Sequence, residues 1–373
     1  MRIVILGAGF GGLELATSLS EQLGDALEVV LIDHTDGFIF GFAKLDVVFG
    51  RAQPSEVRHH YSTINKPGLR FVQAKVLAIE PSTRQVQTDA GPFDADILVV
   101  ALGADLDATA TPGLVESGYD FYSESGAEVL AGALPHFTGG SVVIGVTSTP
   151  FKCPPAPSEA ALLMHDYLSA RGLRETSNIS LVMPFGVPVP PSPAASAALL
   201  EAFGERDIEF VPGLLVNGLD PENNQVLLSD GSSRAYDLFL GVPRHRAPSV
   251  VEESGLVVDG WIPVDPYTLE TAFPDVYAVG DVTSVGTAKA GVFAEGQAKV
   301  VAQQISARVH GHDAEPYDGR GTCYLEFGAD RVGKVDVTFV PGKPPSGVLE
   351  GPSEDLAADK AYFGISRAAR WFG

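Results

Sequence analysis

"RIVILGAGFGGLELATSLSEQLG", residues 2–24, decides the fold. Ile3 to Leu6 form a continuous apolar run, which reads as a strand buried on both faces. Gly7, Gly9 and Gly12 follow in G-x-G-x-x-G spacing, and a helical stretch then runs to Gly24. A second apolar run, Val29 to Ile32, ends in Asp33. In such an arrangement Gly7 allows a tight turn, Gly9 lets the backbone approach a pyrophosphate, and Gly12 lets helix pack closely on strand. The helix N-terminus offers amide donors and partial positive charge, and Asp33 can accept from a ribose hydroxyl. The glycines alone are weak evidence. Strand, loop, helix and acid together predict a dinucleotide-binding βαβ unit.

The rest of the composition narrows the class. A chain of 373 residues, 45% hydrophobic along its length, is globular and long enough for two or three domains. With 25 Lys and Arg against 47 Asp and Glu, its formal charge is −22, which repels nucleic acid and anionic lipid alike. No apolar run reaches the roughly 18 residues that span a bilayer. The first strand begins at Arg2, leaving no room for a signal peptide, so the expected location is cytoplasmic, with peripheral contact at the inner face of a membrane left open. The two cysteines, Cys153 and Cys323, are far apart, and in a reducing compartment such a pair is by default two inert thiols.

"FPDVYAVGDVT", residues 273–283, adds a buried strand ending in Gly280 and Asp281. With the first motif it resembles the second FAD fingerprint of the two-dinucleotide-domain flavoproteins, the disulfide reductase superfamily, in which the aspartate holds the ribityl chain. "FDADILVVALGA", residues 93–104, resembles that superfamily's third conserved segment. The resemblance implies FAD as cofactor and an α/β fold of two Rossmann-like domains with a short C-terminal segment.

An internal repeat supports two related halves. "VLAIEPSTRQVQTDAGPFDADILVVALG" (76–103) parallels "VNGLDPENNQVLLSDGSSRAYDLFLGVP" (216–243), with Pro81, Gln85 and Val86 matching Pro221, Gln225 and Val226. Carried back, the repeat lays "VVIGVTSTP" on "IVILGAGFG", so Gly145 matches Gly7, Thr147 falls near Gly9 and Pro150 near Gly12. A threonine side chain obstructs a pyrophosphate and the proline removes the third glycine. The next strand ends in Met183 and Pro184, with no ribose partner. The second half is therefore expected to keep the fold and lack a nicotinamide cofactor.

In place of the glycine loop stands "KCPPAP", followed by a helical stretch with Leu162, Leu163 and Leu168 toward the core and a stop at Gly172. Position near a helix N-terminus and beside Lys152 favours the Cys153 thiolate. Taken alone, the segment reads equally as a small buried hydrophobe in a proline-rich turn. "STPFKCPPAPSEAALLMHDYL" resembles the active-cysteine segment of the sulfide:quinone oxidoreductases and of the flavoprotein subunit of flavocytochrome c sulfide dehydrogenase. "TAKAGVFAEGQAKVVAQQI" (287–305), with Lys289 at its start, resembles their helix under the flavin pyrimidine, and "GTCYLEFGADRVGKVDVTF" (321–339) their second-cysteine segment. The resemblance implies a Cys153/Cys323 redox pair facing the flavin, with sulfide or a small thiol as substrate and a quinone or cytochrome as acceptor. The chain departs from the pattern in having no third cysteine and no C-x-x-C-H haem motif.

The expected domains are an FAD domain at 1–104, a nicotinamide-domain relic carrying Cys153 at 105–234, a second part of the FAD domain at 235–310, and a C-terminal segment carrying Cys323 at 311–373. Candidate cofactor contacts are Gly7, Gly9, Phe10, Gly11, Gly12, Asp33 and His34, then Val76, Ala101, Leu102 and Gly103, then Gly280, Asp281, Lys289 and Ala290. The tail, with Phe363, Ile365, Trp371 and Phe372 beside Lys360, Arg367 and Arg370, reads as a helix docked on its own domain rather than an interfacial one. His59-His60 reads as a loop pair and His310-Gly311-His312 as a connector, with no metal constellation. Two rival readings stay open, an NAD(P)H-dependent flavoprotein and a non-catalytic redox sensor, as does a homodimer.

Overall fold

The computed structural model describes residues 1–373. Its first sheet is parallel, in the order Leu69–Gln73, Glu28–Asp33, Arg2–Leu6, Ile97–Val100, Val276–Ala278. The continuous apolar run of the first strand is explained by two covers. Ile3 and Ile5 pack in one core with Leu13, Leu15 and Leu19 of the helix Phe10–Leu23. Val4 and Leu6 pack in another with Val76, Ile79 and Val86. Ile3 to Leu6 alternate between two cores, so none of these four positions tolerates a polar side chain.

The second sheet is also parallel, in the order Tyr119–Asp120, Leu238–Val242, Gly140–Val146, Ser177–Met183, Ile208–Pro212. It is covered in the same way. Val142, Ile144 and Val146 share a core with Leu162 and Leu168 of the helix Ala156–Ala170, and Val143 shares one with Val216 and Val226. The repeat is visible in three dimensions. Strands Val76–Glu80, Gln85–Thr88 and Gly91–Asp94 form an antiparallel meander, as do Val216–Asp220, Gln225–Leu228 and Ser233–Ala235. Each meander has a register shift at the same place, between Val76 and Ala78 and between Val216 and Gly218. These are the two Rossmann-like halves that the sequence leads one to expect.

The boundary expected at residue 235 needs correction. Leu238–Val242 is wholly buried and pairs with Gly140–Val146, so it belongs to the second sheet, as its repeat partner Ile97–Val100 belongs to the first. The crossings between the halves are Asp105–Asp107 and Arg244–Arg246, which pair antiparallel. His59 and His60 are not in a loop: they end the strand Arg58–His60, which pairs with Gly37–Ile39. His310 closes the helix Gly291–His310, and Gly311 caps it in the left-handed conformation.

The C-terminal segment is a three-stranded antiparallel sheet, Arg320–Glu326, Val332–Thr338 and Ser346–Ser353, followed by the helix Asp355–Phe372. Leu325, Phe327 and Val335 join the core of the second sheet, which draws the strand carrying Cys323 against the helix that follows Cys153. The last helix is docked: Trp371 is completely buried, whereas Tyr362 and Ile365 are exposed. No helix is long and apolar enough to cross a membrane.

Candidate active site

The glycine loop behaves as its spacing predicts. Gly7 has φ +98°, and a Cβ there would stand 2.4 Å from the Ala101 carbonyl oxygen. A Cβ on Gly12 would stand 1.8 Å from the Gly7 carbonyl oxygen, so strand and helix approach too closely for any side chain. Gly9 differs. Nothing in the protein lies within 4 Å of its absent Cβ, and it faces a cavity of about 310 Å³. Open space at the start of a helix, bordered by the backbone of Gly9, Phe10 and Gly11, fits the pyrophosphate of a dinucleotide.

The same cavity collects residues from the whole chain. Ala101 and Gly103 line it from the segment 93–104, Gly280 and Asp281 from 273–283, and Ala290 from 287–305. Both Cys153 and Cys323 line it, each as a free thiol. The other candidates lie elsewhere. Gly7 and Gly12 shape the loop from behind, Val76 is in the core under the sheet, and Leu102 packs against that core. Asp33 binds the protein itself: one oxygen accepts from the Ala8 N–H at 2.7 Å and the other from the Thr35 N–H and hydroxyl at 2.9 and 2.7 Å. His34 beside it is exposed, its ring nitrogen 3.5 Å from Asp33. Lys289 turns away from the cavity. Its ammonium donates to the carbonyls of Asp281 and Thr283 and lies 3.3 Å from the centre of the Trp261 ring, and burial lowers its pKa to about 8.

Cys153 stands in the left-handed region, φ +49°, an uncommon place for a residue with a Cβ. Its conformation is held from three sides: its N–H donates to the Lys289 carbonyl at 2.7 Å, and its carbonyl accepts from the Ala156 N–H at 2.9 Å and the Tyr122 hydroxyl at 3.2 Å. The expectation of a favoured thiolate is overturned. Cys153 is exposed where it lines the cavity, and desolvation by the surrounding protein, with the Glu159 carboxylate and Cys323 nearby, pushes its thiol well above the ordinary value. The Ala156 N–H at the helix start and the Lys360 ammonium act in the expected direction and are outweighed. Burial likewise pushes Cys323 up to about 12. At neutral pH the reduced pair is two thiols, and a proton acceptor is needed to use either.

Such an acceptor is present, though the sequence reading passed over it. Glu159 lies in the first turn of the helix Ala156–Ala170, only 3% exposed, and lines the cavity. Burial raises its carboxyl to about 7, and its Oε1 accepts from the Glu326 N–H at 2.9 Å. The carboxylate of Glu326 in turn holds Lys360 and, through two hydrogen bonds of 2.7 and 3.0 Å, Arg51. Lys44 is a second group missed. It reaches the cavity wall from the short helix Ala43–Val48, donates to the Tyr122 carbonyl at 2.5 Å, and burial lowers its pKa to about 7. The only sequence signal for Glu159 is an acid in an otherwise apolar helix start six residues after Cys153.

The second half offers no comparable phosphate loop. Thr147 spends its hydroxyl on the Val242 carbonyl at 2.9 Å, and the helix starts only at Ala156, whereas in the first half it starts three residues beyond Gly7.

Comparison with known proteins places this geometry. The model of the pyridine nucleotide-disulphide oxidoreductase family, whose members typically bind FAD, matches residues 1–304. The mitochondrial sulfide:quinone oxidoreductase of Mus musculus is 27% identical over 351 residues, covering 88% of this chain and 76% of its own. A type II NADH:quinone oxidoreductase of Staphylococcus saprophyticus is 32% identical, but over only 32% of this chain and 30% of its own. Among solved structures, the sulfide:quinone oxidoreductase of Aquifex aeolicus superposes with a TM-score of 0.85 at 20% identity, covering 99% of this chain and 92% of its own. The chain therefore belongs to the pyridine nucleotide-disulphide oxidoreductase family, as an FAD-dependent oxidoreductase similar to the sulfide:quinone oxidoreductases.

Proposed function

We propose that the protein binds FAD in this cavity, oxidises sulfide or a small thiol through Cys153 and Cys323, and passes the electrons by way of the flavin to a quinone or another electron carrier. The observation that carries the reading is that two cysteines remote in sequence line one cavity with the glycine loop. The backbone of Gly9, Phe10 and Gly11 would hold the pyrophosphate and Asp281 the ribityl chain; the cofactor supplies an acceptor for two electrons. With the pair oxidised to a disulfide, HS⁻ attacks one sulfur, the S–S bond breaks, and that cysteine keeps the new sulfur as a persulfide while the other leaves as thiolate. The sulfide sulfur is oxidised and the disulfide reduced. In a site where burial disfavours thiolates, Glu159 is placed to take the proton of the incoming sulfhydryl and to protonate the departing sulfur. The nicotinamide reading is disfavoured by Thr147 and the displaced helix start.

Anaerobic titration of the purified protein tests this. Sulfide is expected to bleach the flavin absorbance, and a soluble quinone to restore it, while micromolar NADH does neither at an enzymatic rate. Bleaching by NADH at about 10 per second or faster, without response to sulfide, refutes the proposal.

A further inference from the structure

We infer that the aromatic end of the helix Asp355–Phe372 is part of the cofactor site: Trp371 and Phe372 hold the glycine loop in the shape that accepts FAD, so this helix sets the affinity for the flavin. The inference rests on the proposal that the chain binds FAD and concerns residues that neither the fingerprint nor the cysteine segments include.

Two separate ties run from this helix to the loop. The first goes through Phe10, which lines the cavity between Gly9 and Gly11. Its ring meets Trp371 edge to face at 5.6 Å, and Phe38 and Phe40 at 5.2 and 5.6 Å. On the opposite side it presses on Gly291, where an added Cβ would stand 2.5 Å from the ring. Phe10 is thus wedged between the start of the helix Gly291–His310 and the indole. The second tie goes through Tyr61, which is buried and donates its hydroxyl to the Ala8 carbonyl at 2.9 Å. Phe372 stacks on Tyr61 at 6.2 Å and on His59 at 5.3 Å. Since Asp33 holds the N–H of Ala8, that residue is clamped from both sides.

The helix end is anchored by a carboxylate inside the fingerprint helix. Glu14 is completely buried, and its Oε2 accepts from Arg370 at 2.6 Å and from the Trp371 indole N–H at 2.9 Å. Burial alone would raise its pKa, but these hydrogen bonds outweigh it and hold the carboxyl below its ordinary value. A buried carboxylate in the helix of a nucleotide loop is unfavourable without such partners. Here they come from the far end of the chain. The loop is therefore preorganised by Trp371 and Phe372, and preorganisation appears in a ligand's affinity.

The test compares flavin affinity with stability. FAD dissociation from the purified holoprotein is followed by flavin fluorescence after dilution, and FAD is titrated back onto the deflavinated protein. Melting temperatures are recorded with and without FAD. Trp371→Ala, which removes the ring packed on Phe10 together with the donor to Glu14, is expected to weaken FAD binding by about tenfold or more. Its melting-temperature rise on adding FAD should shrink. A merely structural role would lower both melting temperatures together and leave the rise unchanged. Trp371→Phe, which keeps a ring but loses the donor to Glu14, should fall between, and Phe372→Leu should weaken binding through Tyr61. If Trp371→Ala does not fold, the two milder variants decide. FAD dissociation equal to wild type in both overturns the inference and leaves the proposed function standing. A folded wild-type protein that takes up no FAD overturns the proposed function as well.

Discussion

Gly9 and Gly12 belong to one motif, yet alanine should affect them in opposite ways. Gly9 has φ −79° and ψ −162°, an ordinary extended conformation, and no protein atom lies within 4 Å of the position its Cβ would take. Gly9→Ala should therefore leave the deflavinated protein as stable as wild type or about 0.4–1 kcal/mol more stable, because alanine restricts the unfolded chain. The methyl group would project into the cavity where the pyrophosphate is expected. Hydrogen bonds to a charged group contribute about 1.5–3 kcal/mol each, so disturbing one weakens FAD by roughly ten- to a hundredfold. Gly12→Ala meets the Gly7 carbonyl oxygen at 1.8 Å, backbone against backbone, and separating strand from helix should cost on the order of 3 kcal/mol or more. Urea unfolding of the deflavinated proteins and FAD titration by fluorescence quenching measure the two effects separately. A Gly9→Ala protein that binds FAD as wild type does, or that unfolds as readily as Gly12→Ala, refutes the assignment of the cavity.

Cys153→Ser and Cys323→Ser should each abolish flavin reduction by sulfide in a stopped-flow mixing experiment while FAD content and melting temperature stay close to wild type; a variant that still reduces its flavin excludes that cysteine. Glu159→Gln should remove a step near pH 7 from the pH profile of sulfide-driven flavin reduction, and an unchanged profile counts against Glu159 as the proton acceptor. The same substitution has a stability signature. Folding raises the Glu159 carboxyl from 4.5 to about 7, so its contribution is fully present below pH 4.5 and is lost as pH rises through 7. Relative to wild type, Glu159→Gln should then gain stability above pH 7, by up to about 3 kcal/mol, with no gain below pH 4.5, as read from urea midpoints at pH 4 and pH 9.

The first half of the molecule was legible because its information is local. Strand, loop, helix and acid lie within residues 2–33, and the closest approach, Gly12 on the Gly7 carbonyl, is made inside that stretch, although Gly7 and Gly11 also meet Ala101 and Val279 from beyond it. The repeat was legible for the same reason, and the structure adds a register shift at the same place in each meander. It also contained the correction to the boundary at residue 235, since the strand Leu238–Val242 stands to the second sheet as Ile97–Val100 stands to the first. What the sequence could not convey was the electrostatic state of the site. A neighbouring lysine and a nearby helix start argue for a thiolate at Cys153, but the outcome depends on everything packed around the sulfur, and most of that comes from elsewhere in the chain. Glu159, Glu326 and Lys360 are unremarkable letters until three segments bring them into one hydrogen-bonded cluster. Trp371 beneath the glycine loop is the extreme instance, paired with Glu14 from the other end of the chain. Periodicity and spacing determine which segments become strands, turns and helices. Desolvation is summed over all surrounding atoms, so only the tertiary structure decides which of these groups carries a proton and which holds the cofactor loop in place.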